Sequence, residues 1–293
     1  VDTGIRLMTA LAVAPANVAP SGFPWEAVNR VIDEQDSNFF TPLKILPDDS
    51  LVYGMIQQVR KALQNNDDLL SRTDNTLQQL RAGSLSRREF ADKMVELLHT
   101  RGQKIVNQYL EGDEAELERR QYYNSRKNGY GMVADLYTIA TRLAEPGDPL
   151  HRILLLHQLY FNGVAARMQM NVAKPAEQNA LLEKALQLQQ KAVAMDDNAA
   201  YVQNELGILY LKKGDIVKAE AYFTKATELS PSWAIPRSNL TGLYMQKGDM
   251  VRAEEEAKEA ERLQPGGFIS QAAVGAVEER KGNLLFAEEN YRQ

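Results

Sequence analysis

The chain has 293 residues, a formal net charge of −5 and 44% hydrophobic residues, an ordinary composition for a globular protein of one large or two small domains. The negative net charge argues against nucleic-acid binding, because it offers no strong positive field to phosphates. The absence of cysteine excludes disulfides, thiolate zinc sites and a cysteine nucleophile. Localisation stays open, since a cysteine-free chain is compatible with both the cytoplasm and the periplasm.

Residues 1–50 are expected to be an irregular segment that caps the helices after it, because a stacked helical array needs its ends covered. Prolines recur through this segment at positions 15, 20, 24, 42 and 47. The most apolar run, 5–19, is too short to span a bilayer and is broken by Pro15, so no membrane span is predicted.

Residues 51–145 are predicted to be helical, without a regular repeat. Gly83 and Gly112 are expected to end helices, because glycine readily adopts the left-handed conformation found there. Ser86 and Glu89 have the spacing of a capping box, which predicts the start of the helix between the two glycines. The sequence leaves open whether this region is a set of degenerate repeats or a separate helical bundle.

Residues 149–199 are predicted to be an atypical unit of two helices. Gly163 is a candidate for the close approach of those helices, since it has no side chain. Ala185 and Ala192 lie 34 residues before two alanines of the following unit, 200–233, which places both units in one register.

The rest of the chain repeats with a period of 34 residues, in units at 200–233, 234–267 and a truncated 268–293, which complete an array predicted over 146–293. Each period reads as two short amphipathic helices joined at a glycine, a pattern typical of stacked repeats. One helical hairpin cannot bury its own apolar face, so neighbouring units bury each other's. The recurring residues are Gly214, Gly248 and Gly282 in the turns, and Ala219, Ala253 and Ala287 in the second helices.

The units resemble the tetratricopeptide repeat family. The first complete unit carries the resemblance at Leu206, Gly207, Tyr210, Gly214, Ala219, Phe223, Ala226 and Pro231, and the second at Leu240, Tyr244, Gly248, Ala253, Ala260 and Pro265. The second unit departs from the pattern with Thr241 in place of the first-helix glycine and Ala257 in place of the aromatic residue. The resemblance implies an all-α fold, a right-handed α-solenoid of helix-turn-helix units preceded by a helical N-terminal region.

In this family the first helix of each unit lines a concave face that binds peptides. The corresponding candidate peptide-binding residues are Tyr201, Asn204, Glu205, Ile208, Ile235, Ser238, Asn239 and Ile269, with the small residues Gly242, Ala272, Ala273 and Ala276 beside them. Asn204 and Asn239 are expected to hydrogen-bond an extended peptide backbone. Family members that clamp an acidic chaperone tail need basic residues where this chain has Ile269 and Ala273, so that role is rejected. The sequence leaves open that some of the isoleucines pack against the chain's own N-terminal half or against further repeats.

No convergent set of catalytic groups is apparent. The three histidines occur without a zinc-binding spacing, and no glycine-rich phosphate loop or nucleophile elbow is present. The tripeptide at Asp2–Gly4 matches aspartic proteases, but those enzymes need two such aspartates on a β-rich fold. We therefore predict no catalytic residue, no metal ligand and no cofactor, and expect that these residues are not an enzyme.

The resemblance implies a scaffold or adaptor whose partner is another protein or peptide held in the concave groove. An alternative is the docking or regulatory portion of a larger enzyme with its catalytic domain outside these residues. The sequence begins without methionine, and Gln293 falls inside the expected second helix of the third unit, so we expect a processed or longer chain. The identity of the partner and the oligomeric state are not specified by the sequence.

Overall fold

A computed structural model describes residues 67–121, 129–144 and 149–291. The expected N-terminal cap and the start of the first helical region therefore lie outside the described residues. Within these ranges the chain forms eleven α-helices and no strand, which confirms the predicted all-α class. The helices are α1 Asp67–Arg81, α2 Arg87–Glu111, α3 Glu114–Gln121, α4 Gly129–Leu143, α5 Pro149–Met170, α6 Pro175–Met195, α7 Ala200–Lys213, α8 Ile216–Leu229, α9 Ala234–Lys247, α10 Met250–Leu263 and α11 Phe268–Tyr291.

The contacts divide the chain into two compact units. Of the described residues, 67–100, 135–144 and 149–155 belong to the first unit, and 101–121, 129–134 and 156–291 belong to the second. In the second unit consecutive helices from α6 to α11 are neighbours, and α9 also contacts α7 and α11. The first helices of successive repeats therefore lie side by side, as the predicted solenoid requires.

The first unit begins with two helices whose ends follow the sequence prediction. Gly83 has a φ of 71° just beyond the last residue of α1. At the start of α2 the Ser86 N–H donates to Glu89 Oε2 (2.7 Å) and the Glu89 N–H donates to Ser86 Oγ (3.2 Å). This reciprocal pair is the predicted capping box.

The turns of the two complete repeats have almost the same backbone. Gly214 and Gly248 end α7 and α9 with φ values of 83° and 77°, in the left-handed region that favours glycine. The side chains of Asp215 and Asp249 then cap the starts of α8 and α10. Each accepts a hydrogen bond from the backbone N–H of the residue three positions later, at 3.1 and 3.2 Å. These turns fold each second helix back on the first.

The crossing of the two helices in each repeat is set by complementary residue sizes. A Cβ on Gly207 would lie 2.4 Å from Cδ1 of Phe223, so α7 approaches α8 only because this residue is glycine. In the next repeat the pair is exchanged: Thr241 and Ala257 occupy the same two positions, and both are buried. The two departures from the family pattern therefore compensate each other.

The third repeat differs from its prediction. The turn expected at Gly282 is not formed, and α11 runs through that residue without interruption to Tyr291. A glycine permits a left-handed turn but does not impose it, and glycine inside a helix costs only about 1 kcal/mol relative to alanine.

Candidate functional site

The eight candidate peptide-binding residues, which we call the A-helix face, lie on α7, α9 and α11. Half of them are buried within the chain: Tyr201, Asn204, Glu205 and Ile235. The other four are partly exposed: Ile208, Ser238, Asn239 and Ile269. Only part of the predicted face is therefore accessible to a partner.

Tyr109, near the C-terminal end of α2, occupies the buried part of the face. Its ring meets the Trp233 ring edge to face, with 5.0 Å between the centroids. Asn204 Nδ2 donates to the Tyr109 hydroxyl at 2.8 Å, and Asn239 Nδ2 donates to Asn204 Oδ1 at 2.8 Å. The two asparagines expected to bind a peptide thus form a chain of hydrogen bonds that ends on the protein's own α2.

The end of α2 is held by its backbone as well. The Trp233 indole N–H donates to the Tyr109 carbonyl at 2.9 Å, and Gln264 Nε2 donates to the Gly112 carbonyl at 2.9 Å. Carbonyls in the last turn of a helix lack their usual intrahelical partners. The Tyr109 carbonyl also accepts the Gly112 N–H at 3.2 Å, so Trp233 supplies a second donor there, and Gln264 supplies a donor to the carbonyl of Gly112 just beyond the helix.

α3 continues this contact through Arg120. Its guanidinium lies over the Tyr109 ring, 3.4 Å from the centroid, and donates to Glu116 at 2.9 Å and to the Tyr160 hydroxyl at 3.0 Å. The Tyr130 hydroxyl donates to the same Glu116 carboxylate at 2.8 Å. Both charged groups are buried, and their pairing together with the tyrosine hydroxyls offsets part of the cost of desolvation. We call residues 101–121 the resident segment.

Glu205 is also engaged inside the chain. Both of its carboxylate oxygens accept hydrogen bonds from the Arg167 guanidinium of α5, and both side chains are buried. A bidentate pair of this kind satisfies the charge of each partner. Glu205 therefore links α5 to α7 and presents no free carboxylate.

Burial controls the ionisation of the tyrosines in this network. It raises the pKa of the Tyr109 phenol and raises that of Tyr160 well above its usual value. Both phenols are therefore neutral at physiological pH and act as hydrogen-bonding groups. On the same face, partial burial and the nearby Arg167 charge lower the pKa of Lys212.

The accessible part of the face follows α9 and α11. Ser238 and Ile269 are partly exposed, and Gly242 and Ala272 are exposed. A Cβ on Gly242 would meet no atom within 4 Å, so the surface above it is open. This strip of small and apolar residues adjoins the asparagine chain at Asn239.

The sequence prediction missed Tyr109, Arg120, Trp233 and Gln264. A signal for two of them was present in the repeat itself. At the position of Trp233 the neighbouring repeats have Ala199 and Gly267. At the position of Gln264 the repeat 200–233 has Ser230. Departures from the repeat pattern, rather than matches to it, identify these contact residues. For Tyr109 and Arg120 no such signal exists, because their region does not repeat.

The described residues include neither a metal-type side-chain cluster nor a helix suited to a bilayer. Among them, no group of three or more His, Asp or Glu side chains is arranged to hold a metal ion. His157 is buried beside aromatic rings, 5.9 Å from Tyr201 and 6.4 Å from Phe161 between centroids. None of the helices that the structure describes has the length and hydropathy to cross a bilayer.

Comparison with known proteins finds a family match in the repeat 200–233 and similar solved structures over most of the chain. Residues 200–233 match the family model of the tetratricopeptide repeat. Among solved structures, the chain is similar to YrrB, "a TPR protein with an unusual peptide-binding site", at 20% identity and a TM-score of 0.34, over 74% of this chain and 96% of that one. It is also similar to the APC/C hetero-tetramer Cut9-Hcn1, at 12% identity and a TM-score of 0.35, over 86% of this chain and 51% of that one. No curated protein sequence matches the chain.

Proposed function

We propose that this chain, in which residues 200–233 are a tetratricopeptide repeat, is a protein-interaction scaffold whose A-helix face binds a peptide or helix of a partner protein. The repeat supports the coarse role, because stacked helical hairpins build an extended surface from neighbouring units. The groove is the finer part of the proposal and has its own support.

The observation that carries the groove proposal is that the A-helix face already binds a helix. The end of α2 lies against it, and Asn204 of the face donates to the Tyr109 hydroxyl. Trp233 and Gln264, which lie outside the eight residues of the face, donate to two backbone carbonyls of the same helix end. Carbonyl recognition depends little on the side chains of the bound segment. A surface that recognises one helix in this way is suited to a second helix or an extended strand alongside it.

The accessible strip beside the resident segment gives room for that second binding event. The small residues Gly242 and Ala272 allow a backbone to approach closely, and Ile269 supplies apolar contact area. Ser238 and Asn239 add hydrogen-bonding groups at the border with the occupied part. We expect apolar contacts and side-chain hydrogen bonds to dominate the binding, with little steering by charge.

The test is selection of peptide binders from a displayed library on the full chain, followed by affinity measurements on two double variants. Ser238→Glu with Ile269→Glu places charge in the accessible strip. The matched control, Val217→Glu with Val251→Glu, places the same charges at exposed positions on α8 and α10. We expect the groove variant to lose at least tenfold in affinity, about 1.4 kcal/mol, and the control to retain it.

The proposal is overturned if the library yields no binder. It is also overturned if the selected peptides bind both double variants equally well, since a groove occupant would be affected by only one of them. Circular dichroism of both variants establishes that each keeps its helical content.

A further inference from the structure

We propose that the donors Asn204, Trp233 and Gln264 form a receptor for one class of ligand, the C-terminal end of a helix that carries a tyrosine three residues before a glycine. Tyr109 and Gly112 of the resident segment are the example built into the chain. The inference rests on the proposed function and specifies the partner of the same face: a helix of this kind competes with the resident segment.

The donors match the chemistry of a helix end. The last carbonyls of an α-helix lack the regular i+4 donor, so a side chain can bond to them. Here the Tyr109 carbonyl accepts the Gly112 N–H at 3.2 Å and uses its second lone pair for a side-chain donor. Trp233 Nε1 reaches the carbonyl of Tyr109, and Gln264 Nε2 reaches that of Gly112, both at 2.9 Å. Trp233 directly precedes the first residue of α9, and Gln264 directly follows the last residue of α10. Because α9 and α10 form a helical hairpin, these two positions lie at the same end of it.

The tyrosine is specified by its ring and by its hydroxyl. The receptor contacts the ring through the Trp233 indole, at 5.0 Å between centroids. Arg120 of the resident segment itself covers the ring, with its guanidinium 3.4 Å from the centroid. The hydroxyl accepts from Asn204, whose oxygen is already bonded to Asn239. Phenylalanine would fill the ring site but would leave a buried amide N–H without its acceptor, which is the costly case.

The glycine is specified twice. Gly112 has a φ of 71°, which ends the helix and exposes its carbonyls. A Cβ at this position would lie 2.6 Å from Gln264 Oε1, so any side chain displaces the amide that donates to the Gly112 carbonyl. By contrast, Gly83 has the same φ of 71°, but a Cβ added there would meet no atom within 4 Å.

Tethering decides which ligand occupies the receptor. A resident segment in the same chain competes as an intramolecular ligand, which gives it an advantage over a free peptide. A free helix with similar contacts therefore binds the native protein weakly, and binds well once the resident end is weakened. A partner in the cell succeeds by making additional contacts along the accessible strip.

The experiment uses a labelled synthetic peptide with the sequence of residues 101–121 and the full chain in three forms: wild type, Gly112→Ala and the control Gly83→Ala. Both substitutions place alanine at a φ of 71°, but only the first disturbs the Gln264 contact. By fluorescence anisotropy, we expect the Gly112→Ala chain to bind the peptide at least tenfold more tightly than the other two. The peptide with phenylalanine or alanine in place of its tyrosine should bind the Gly112→Ala chain at least tenfold more weakly.

The proposal is overturned if a folded Gly112→Ala chain binds the peptide no better than the Gly83→Ala chain. It is overturned equally if the tyrosine, phenylalanine and alanine peptides bind alike. If Gly112→Ala does not fold, hydrogen exchange of the wild-type chain decides. A saturating tyrosine peptide must then increase exchange over residues 101–112 where the alanine peptide does not, and equal exchange rejects the proposal. Failure here leaves the library test on Ser238 and Ile269 unaffected, so the two proposals can fail separately.

Discussion

The two complete repeats, 200–233 and 234–267, share one backbone but carry different side chains at the positions that make specific contacts. The caps at the ends of α8 and α10, Ser230 and Gln264, have identical dihedral angles of −136° and 77°. Yet only Gln264 reaches the resident segment. Glycine, aspartate and alanine positions therefore fix the repeat geometry, and the residues that depart from the repeat use that geometry for recognition.

The same comparison separates packing from recognition within the core. The helix crossing is filled by Gly207 and Phe223 in one repeat and by Thr241 and Ala257 in the other. The small residue lies on the first helix in one repeat and on the second helix in the other. Interiors are densely packed, so a change on one side requires the opposite change on the other. Trp233 has no counterpart of similar size, since the preceding unit has Ala199 and the following repeat has Gly267 at its position.

The largest effect is expected from Trp233→Ala, which introduces the residue that the preceding unit, 149–199, has at the equivalent position, Ala199. The indole is 2% exposed, so its removal should lower the free energy of unfolding by about 3–5 kcal/mol. Urea unfolding followed by circular dichroism measures this change. Trp233→Phe keeps one ring but loses the hydrogen bond to Tyr109 and part of the buried volume, so its cost should be smaller, about 1–3 kcal/mol. If both variants lowered the free energy of unfolding by the same amount, the packing of the ring at this position would not be what distinguishes it from Ala199.

The next largest effect exchanges the crossing pair of one repeat for that of the other. Gly207→Thr should cost about 1–3 kcal/mol through overpacking against Phe223. Phe223→Ala should cost about 3–5 kcal/mol through the cavity it leaves. The double variant should be more stable than the sum of the two losses predicts, with a coupling of about 0.5–3 kcal/mol. Strict additivity in urea unfolding would refute the compensation.

A smaller effect is expected at alkaline pH. Burial raises the folded-state pKa of Tyr109 and Tyr160 above the unfolded value of 10.0. A raised pKa contributes stability that is complete below pH 10.0 and is lost as the pH rises through the folded-state value. Tyr109→Phe should weaken that alkaline loss, and it should lower stability at pH 7 by about 1–3 kcal/mol because Asn204 loses its acceptor. Unfolding curves from pH 7 to 11 test both statements, and an unchanged alkaline slope counts against them.

The smallest effect concerns the surface ion pairs that the two repeats share. Glu220 pairs with Lys247, and at the equivalent position Glu254 pairs with Lys258 and Lys281. Hydrogen bonds from Lys258 and Lys281 lower the pKa of Glu254 to about 2. Its contribution to stability is present above pH 4.5 and is lost as the pH falls through about 2.

The measurement for this surface pair is stability as a function of pH between 6 and 2. Glu254→Gln should flatten the acid limb slightly, and added salt should reduce the difference, because exposed pairs are screened. Glu255→Gln changes the adjacent exposed side chain and serves as control. A larger effect of the control would contradict the assignment.

Local features were predictable from the sequence, and long-range contacts were not. The ends of α7 and α9, the capping box at Ser86 and the close approach at Gly207 depend on residues that are near in sequence or one helix apart, so pattern alone identifies them. The A-helix face was predicted from the repeat as well, and its role in binding stays a prediction. The occupation of that face depends on Tyr109, which lies 124 residues from Trp233, and no periodicity links two such positions.

The distance along the chain between Tyr109 and Trp233 has a consequence for biosynthesis. Ribosomes add about 5–20 residues per second, so roughly 6–25 seconds separate the emergence of the tyrosine from that of the tryptophan that covers it. Gln264, 152 residues after Gly112, appears later still. During that interval the end of α2 has left the ribosome without its docking surface. Its apolar residues are exposed at this stage of synthesis, and a chaperone that covers them would act here.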